Sequence, residues 1–238
     1  MRLALLLPLL GCSCALADPQ VGPQPALATT GFVPVESGRI HYSVSGVGPD
    51  LVLLHGGGLD LRMWDSLVPS LEAVHRVLRL DAPGHGLTSA RGRSTAEAAD
   101  QLRRLLDHLG IDRAILVGSS MGGGTASEFA IRHPRRVRAL VLISTSGPPP
   151  GVPRSEGDSP PLTEEQGRRL LAAARVPVLV IAGRRDSERV LATATAVERE
   201  VPSARVLIVE NAGHAVATER PAEVASAVLA FARTHKRR

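Results

Sequence analysis

The sequence has 238 residues, of which 44% are hydrophobic, and its formal net charge is +5. A chain of this length and apolar content can bury one core, and its composition excludes the disordered class. The charge is almost entirely arginine dispersed along the chain, so no nucleic-acid partner is predicted, and the short basic run 235–238 is interpreted as a solvated tail.

The first 17 residues are predicted to be a signal peptide. Arg2 precedes the apolar run 3–10, which is too short to span a bilayer, and the small residues 15–17 form a cleavage site. Cleavage there would remove both cysteines. The protein is expected to be exported to the periplasm or the medium. As an alternative, residues 9–12 resemble a bacterial lipobox, in which Cys12 would carry a lipid anchor and supply the only membrane attachment.

Residues 18–30 are rich in proline and aperiodic, and they are interpreted as a linker to a domain over 31–238. In that domain, strand patterns alternate with amphipathic helical patterns. Strands are predicted over 32–36, 39–44, 51–54, 77–80, 114–117, 137–143, 178–181 and 206–209, and helices over 62–73, 95–109, 121–133, 163–174, 187–200 and 221–234. Strands that are apolar throughout are typical of a mainly parallel sheet buried on both faces, so a doubly wound α/β fold is expected.

One segment departs from this alternation. Residues 147–161 are too rich in proline to form a regular helix. Because only one helix is predicted between this segment and the next strand, we expect a short lid over 146–175.

Residues 118–122 match the nucleophile-elbow pattern G-x-S-x-G, with Ser120 at its centre. The pattern follows an apolar strand and opens a helix, which is the context that a sharply turned, exposed serine requires. A glycine-rich turn of structural use only is the alternative for this motif alone.

A second glycine motif, 55–58, ends an earlier strand. Glycines at such a position let backbone N–H groups point at a developing oxyanion. We expect Gly57 and the Met121 N–H to form a two-donor oxyanion hole, with Gly58 as the second choice of donor and His55 orienting the loop.

A serine nucleophile needs a base, and the base needs an acid that orients it. His214 follows the last predicted strand, and Asp186 follows the strand before it. The carboxyl ends of parallel strands meet at one edge of an open α/β sheet, so these residues are predicted to meet Ser120. A surface aspartate paired with Arg185 is the alternative for Asp186, and an ordinary loop histidine is the alternative for His214.

The remaining polar candidates have structural explanations. Asp81 and His85, in the turn 81–86, are predicted to fix a tight turn. No cluster of His, Asp or Glu has metal-ligand spacing, so no metal and no cofactor are predicted.

Taken together, the motifs at 55–58, 81–86, 118–123, 183–186 and 213–214 resemble the α/β-hydrolase superfamily. The similarity is greatest to the branch of small carboxylesterases, enol-lactonases, cofactor-free haloperoxidases and carbon–carbon bond hydrolases. It implies the α/β-hydrolase fold, with an eight-stranded, mainly parallel sheet and helices on both faces. Relatives usually insert a multi-helix cap between the sixth and seventh strands, and here that cap is expected to be much reduced.

The expected function is hydrolysis of a small-molecule carboxylic ester, lactone or thioester through an acyl-enzyme. In this scheme Ser120 is the nucleophile, His214 the base and Asp186 the orienting acid. Two alternatives are open: a cofactor-free peroxidase or carbon–carbon bond hydrolase with the same triad, and a non-catalytic binding protein on this fold.

Overall fold

The sheet is found in the part of the chain that the computed structural model describes, which is residues 28–92, 94–146 and 164–235. Its eight strands are β1 (Thr29–Val35), β2 (Gly38–Ser45), β3 (Asp50–Leu54), β4 (Arg76–Leu80), β5 (Ala114–Ser119), β6 (Val137–Ile143), β7 (Val178–Gly183) and β8 (Ala204–Val209). The strand order is β1-β2-β4-β3-β5-β6-β7-β8, antiparallel between β1 and β2 and between β2 and β4, and parallel elsewhere. The predicted fold class is thus confirmed.

Helices follow most of the parallel strands. They are α1 (Val68–Glu72), α2 (Thr95–His108), α3 (Met121–Arg132), α4 (Glu164–Ala174), α5 (Glu188–Glu200), α6 (Val216–Glu219) and α7 (Pro221–Thr234), with short 3₁₀ helices at Leu61–Trp64 and Pro134–Arg136.

Each face of the sheet carries its own hydrophobic core, because successive strand residues point to opposite faces. On one face, Val52 and its neighbour Leu116 pack with side chains of α2, α3, α4 and α5. On the other face, Leu51 and Ile115 pack with Trp64, α1 and α7. Helices on both faces therefore leave the carboxyl ends of the parallel strands as the place where loops converge.

The prediction of one continuous helix over 62–73 is wrong. The segment folds as the 3₁₀ helix Leu61–Trp64 and the separate helix α1. Pro69 accounts for the break, because it has no N–H to donate to the carbonyl of Asp65 and is tolerated only in the first turn of a helix, where it lies here.

The start of one strand and the burial of another also differ from those predicted. Strand β1 begins at Thr29, inside the predicted linker 18–30, because Thr29 and Thr30 pair with Val44 and Ser43 of β2. Strand β8 is predicted to be buried on both faces, yet it is an edge strand with mostly half-buried side chains, since among the described strands β7 alone pairs with it.

Some predictions concern residues outside the described ranges. These are the signal peptide 1–17 with Cys12, most of the linker, residues 147–163 of the predicted lid, and the basic residues 236–238. Within the described ranges, no helix is long and apolar enough to span a bilayer.

Candidate active site

The three side chains predicted to carry the chemistry lie at the same edge of the sheet. Ser120 directly follows β5, Asp186 comes three residues after β7, and His214 comes five residues after β8. Because β5, β6, β7 and β8 run parallel, these strands deliver all three residues to one end.

The Ser120 turn, residues 118–122, holds its serine in a strained conformation. The Ser120 φ is 48° and its ψ is −111°, outside the regions that L-residues ordinarily occupy. A Cβ on Gly118 would lie 2.6 Å from the Gly123 nitrogen, and one on Gly122 would lie 2.6 Å from the His55 carbonyl oxygen. Close packing therefore excludes a side chain at Gly118 and at Gly122, as the elbow pattern predicts.

His214 bridges the other two residues. Its Nε2 lies 3.1 Å from the Ser120 Oγ, and its Nδ1 lies 2.9 Å from one Asp186 carboxylate oxygen and 3.2 Å from the other. An ionised carboxylate only accepts hydrogen bonds, so Nδ1 carries the proton and Nε2 is free to accept the serine proton. The structure thus brings together the three residues predicted from the sequence, in the order that nucleophilic catalysis requires.

The Asp186 carboxylate is buried, with its side chain 1% exposed, and it also accepts the Ser187 N–H at 2.7 Å. Arg185 bonds instead to the Asn211 side chain at 2.9 Å. The alternative of a surface aspartate paired with Arg185 is therefore wrong. The His214 side chain, by contrast, is 56% exposed, so solvent and small molecules can reach it.

Glu219 is a contact that the sequence analysis missed. Its carboxylate accepts the Gly213 N–H at 2.8 Å and so fixes the residue before His214. The packing of Gly183 against the Ala212 and Gly213 carbonyls holds the same loop from the other side. Glu219 lies in α6, which is too short to produce a detectable helical pattern, and this explains the omission.

The loop that carries Gly57 packs against Ser120 and Met121. A Cβ on Gly56 would lie 3.7 Å from the Ser120 Cβ, and one on Gly57 would lie 3.8 Å from the Met121 Cβ and Sδ. Met121 is the first residue of α3, where a backbone N–H has no partner within the helix. Among the described residues, nothing accepts a hydrogen bond from the Gly57 N–H, whereas the Gly58 N–H donates to His85. This difference favours Gly57 over Gly58 as the second donor.

His55 holds the glycine loop, which we define as residues 56–58. Its Nδ1 donates to the Gly56 carbonyl at 2.8 Å, and its Nε2 accepts the Ala82 N–H at 2.9 Å. Burial lowers the pKa of His55, and nearby His85 lowers it further, although the bond to Gly56 acts in the opposite direction. A neutral His55 therefore links the glycine loop to the loop that follows β4.

Asp81 organises that neighbouring loop, in agreement with the structural role expected of it. Its buried carboxylate accepts the Leu61 and Leu87 N–H groups, each at 2.8 Å, and the His41 Nδ1 at 2.8 Å. His41 lies on β2 and was not singled out from the sequence, because nothing local indicates a partner forty residues away.

Groups of three or more His, Cys, Asp or Glu side chains that could hold a metal ion are absent from the described part of the chain. The side chains at the site are instead suited to proton transfer and nucleophilic attack.

Comparisons with known proteins place this geometry in a family. A family model described as alpha/beta hydrolase fold matches residues 49–158, and a second, described as TAP-like protein, matches residues 153–237. Among solved structures, a hydrolase from Pseudomonas aeruginosa PA01 superposes with a TM-score of 0.73 at 25% identity, covering 85% of this chain and 97% of the other.

Two relatives are named for different hydrolytic reactions. A pimeloyl-[acyl-carrier protein] methyl ester esterase from Aromatoleum aromaticum is 45% identical over 113 residues, covering 48% of this chain and 43% of its own. A 2-hydroxy-6-oxononadienedioate/2-hydroxy-6-oxononatrienedioate hydrolase from Paraburkholderia phymatum is 40% identical over 140 residues, covering 53% and 49%.

The matched region of this chain spans half or less of the length of these relatives. The two family models, taken together, nonetheless extend over residues 49–237, and the eight-stranded sheet and the Ser120 turn agree with them. The chain therefore belongs to the α/β-hydrolase superfamily.

Proposed function

We propose that the protein is a serine hydrolase that cleaves a small carboxylic ester, lactone or thioester through an acyl-enzyme. The observation that carries this proposal is the hydrogen-bonded series from Ser120 through His214 to the buried Asp186. It supplies a nucleophile, a base in the correct tautomer and a charge that stabilises the imidazolium.

The reaction uses groups already in position. The Ser120 Oγ attacks the carbonyl carbon while His214 Nε2 takes its proton, and the same proton then passes to the leaving group. The Met121 N–H, with the Gly57 N–H beside it, stabilises the negative charge that develops on the carbonyl oxygen. Water, activated by His214 in turn, releases the acyl group and restores the serine.

The test is turnover of p-nitrophenyl acetate and butyrate by the wild-type protein and by Ser120→Ala. We expect the substitution to lower kcat by at least about 10³-fold, because no other group can form the acyl-enzyme. Circular dichroism should show the same folded state in both, since Ser120→Ala removes one hydroxyl group.

Labelling by a fluorophosphonate probe separates an enzyme from a binding protein that has kept the fold. The wild type should be labelled at Ser120, and Ser120→Ala should not react. Ester turnover that Ser120→Ala leaves unchanged would overturn the proposal.

Carbon–carbon bond hydrolysis is the second candidate, and it is favoured by the 40% identical relative named as a 2-hydroxy-6-oxononadienedioate hydrolase. The same three residues would serve it. A substrate panel of esters of different chain length, lactones and 2-hydroxy-6-oxononadienedioate distinguishes the two reactions, because the preferred substrate has the highest kcat/KM.

We also propose that the protein is exported, with cleavage after Ala17. The features that support export are the charged start, the apolar run and the small-residue cleavage site. Amino-terminal sequencing of the mature protein should begin at Asp18. A mature chain that begins at a lipid-modified Cys12 would establish the anchored form instead.

A further inference from the structure

His85 makes contacts that its predicted role as a turn residue does not require. Its Nδ1 lies 3.0 Å from the Pro83 carbonyl, and its Nε2 lies 3.2 Å from the Gly58 nitrogen. A carbonyl can only accept and a backbone N–H can only donate, so Nδ1 carries the proton and Nε2 accepts. This pair of hydrogen bonds requires a neutral imidazole.

Gly58 depends on this bond because little else holds it. Its φ is +73°, a conformation that favours glycine, and a Cβ built on it would find nothing within 4 Å. Within the loop, the Leu59 N–H bonds to the Gly56 carbonyl at 3.3 Å. In the described part of the chain, His85 is the acceptor that fixes the Gly58 N–H from outside the loop.

The position of Gly58 determines that of its neighbour. Gly57 and Gly58 share one peptide plane, so a restrained Gly58 N–H restrains the Gly57 carbonyl. The Gly57 N–H lies in the preceding plane, with the Gly56 carbonyl that His55 holds. With both planes held, the two dihedrals of Gly57 between them have little freedom. Without the bond to His85, the plane on the Gly58 side is released and the dihedrals of Gly57 can vary, so the Gly57 N–H is less firmly directed at the oxyanion.

We propose that His85 is a positioning residue whose neutral imidazole holds the glycine loop in its oxyanion-binding form, and whose protonation releases that loop. On protonation, Nε2 becomes a donor and faces the Gly58 N–H, another donor, so the bond is lost. This inference rests on the proposed hydrolase function, because it assigns a step of that function to a residue outside the triad.

The loops next to His85 carry three further titratable groups, His55, Asp60 and Asp81. His55, after β3, has its ring centroid 5.2 Å from that of His85. Asp60, before the first 3₁₀ helix, is paired with Arg62, which lowers the pKa of Asp60 to about 2. Asp81, after β4, is paired with His41. Asp60 therefore remains ionised beside Arg62, while burial favours the neutral form of His55.

The experiment is the pH profile of kcat/KM for p-nitrophenyl butyrate between pH 5 and 8 in the wild type, His85→Gln and His85→Ala. In the wild type, protonation of His85 should lower kcat/KM by up to about tenfold in addition to the loss that protonation of His214 causes, so the acid limb of log(kcat/KM) should be steeper than a slope of roughly 1. In His85→Gln the amide oxygen can accept the Gly58 N–H at every pH, so the slope should fall to roughly 1 while activity at pH 8 stays within about threefold of the wild type. His85→Ala should lower kcat about tenfold at pH 8 with little change in KM, less than the roughly 10²–10³-fold loss on deleting a donor outright.

His108→Gln is the matched control, because His108 is exposed at the end of α2, and it should keep the wild-type profile. A readout that does not depend on activity is the Gly58 amide resonance, which should titrate in the wild type and not in His85→Gln. The inference is overturned if His85→Ala keeps the wild-type kcat and slope, or if His85→Gln loses as much activity as His85→Ala. A wild type that cleaves no ester, lactone or thioester would instead refute the proposed function, and the Gly58 resonance would still test the contact.

Discussion

Two glycine-rich segments meet at the candidate site, and glycine is needed in them for different reasons. In the Ser120 turn, a Cβ on Gly118 or Gly122 would overlap with backbone atoms. In the glycine loop, a Cβ on Gly56 or Gly57 would make only ordinary contacts, at 3.7–3.8 Å. The first segment is held by close packing, whereas the second is held by two hydrogen bonds, one that His55 donates to the Gly56 carbonyl and one that His85 accepts from the Gly58 N–H.

The difference indicates how each half of the site can fail. The conformation of a closely packed turn is disturbed when a substitution adds side-chain volume. It is insensitive to pH, because the packing contacts involve no titratable group. A loop held by two neutral imidazoles tolerates volume and responds to protonation. The nucleophile and the oxyanion donors, although adjacent, are therefore expected to lose function under different perturbations.

The largest effect should come from Gly122→Ala. The new Cβ would overlap with the carbonyl of Leu54, a backbone group in the centre of the sheet that cannot move without disturbing β3. We expect a loss of about 2–3 kcal/mol in the free energy of unfolding, together with the loss of ester turnover. Urea denaturation measures the first quantity, and an unchanged midpoint would show that the turn is not held by packing.

A smaller effect concerns the pH dependence of stability. Burial lowers the pKa of His55 from its ordinary value of 6.5, so the unfolded chain takes up a proton there at a higher pH than the folded protein does. The free energy of unfolding should therefore be constant above about pH 7 and fall as the pH drops from about 6.5 toward the lowered pKa. Measurements at pH 7.5 and 5.5 should show a smaller fall in His55→Gln than in the wild type.

His133 provides the comparison for that measurement. Burial also lowers its pKa, but it ends α3, away from the glycine loop. His133→Gln should likewise reduce the acid-induced fall in stability while leaving ester turnover unchanged. An acid-induced fall of the same size in His55→Gln and the wild type would contradict the neutral state of His55.

The smallest effects are expected within the glycine loop. Gly57→Ala should change the free energy of unfolding by less than about 1 kcal/mol, because its Cβ meets Met121 at ordinary contact distance. Gly58→Ala should cost about 1 kcal/mol more, since its φ of +73° is unfavourable for alanine. Equal stabilities of the two variants would show that backbone conformation does not distinguish them.

Much of this arrangement could be predicted because its signals are local. Ser120 lies in a five-residue motif with a steric reason for each glycine, and His214 and Asp186 each follow a continuous apolar strand. From the sequence, Gly57 is preferred to Gly58 as a donor, but the structural reason for this preference could not be predicted, because it is an acceptor 27 residues away in another loop. The Asp81–His41 contact is non-local in the same sense.

Other differences come from weak local patterns. The apolar spacing of 62–73 suggests one continuous helix. That spacing gives no sign that Pro69 interrupts it. The exposure of β8 results from its place at the edge of the sheet. Because that place depends on the strand order of the whole sheet, the residues of β8 alone do not indicate it.

The conformation of Ser120 has a consequence for the evolution of the chain. A non-glycine residue at φ 48° and ψ −111° costs about 1–3 kcal/mol, a sizeable part of the roughly 5–15 kcal/mol that separates a typical folded domain from its unfolded state. The strained serine therefore reduces the free energy of unfolding, which leaves less stability to offset destabilising substitutions elsewhere in the sheet. Variants that drift away from serine at this position, toward glycine above all, would gain stability as they lose the nucleophile, so selection for function has to act continuously against selection for a more stable fold.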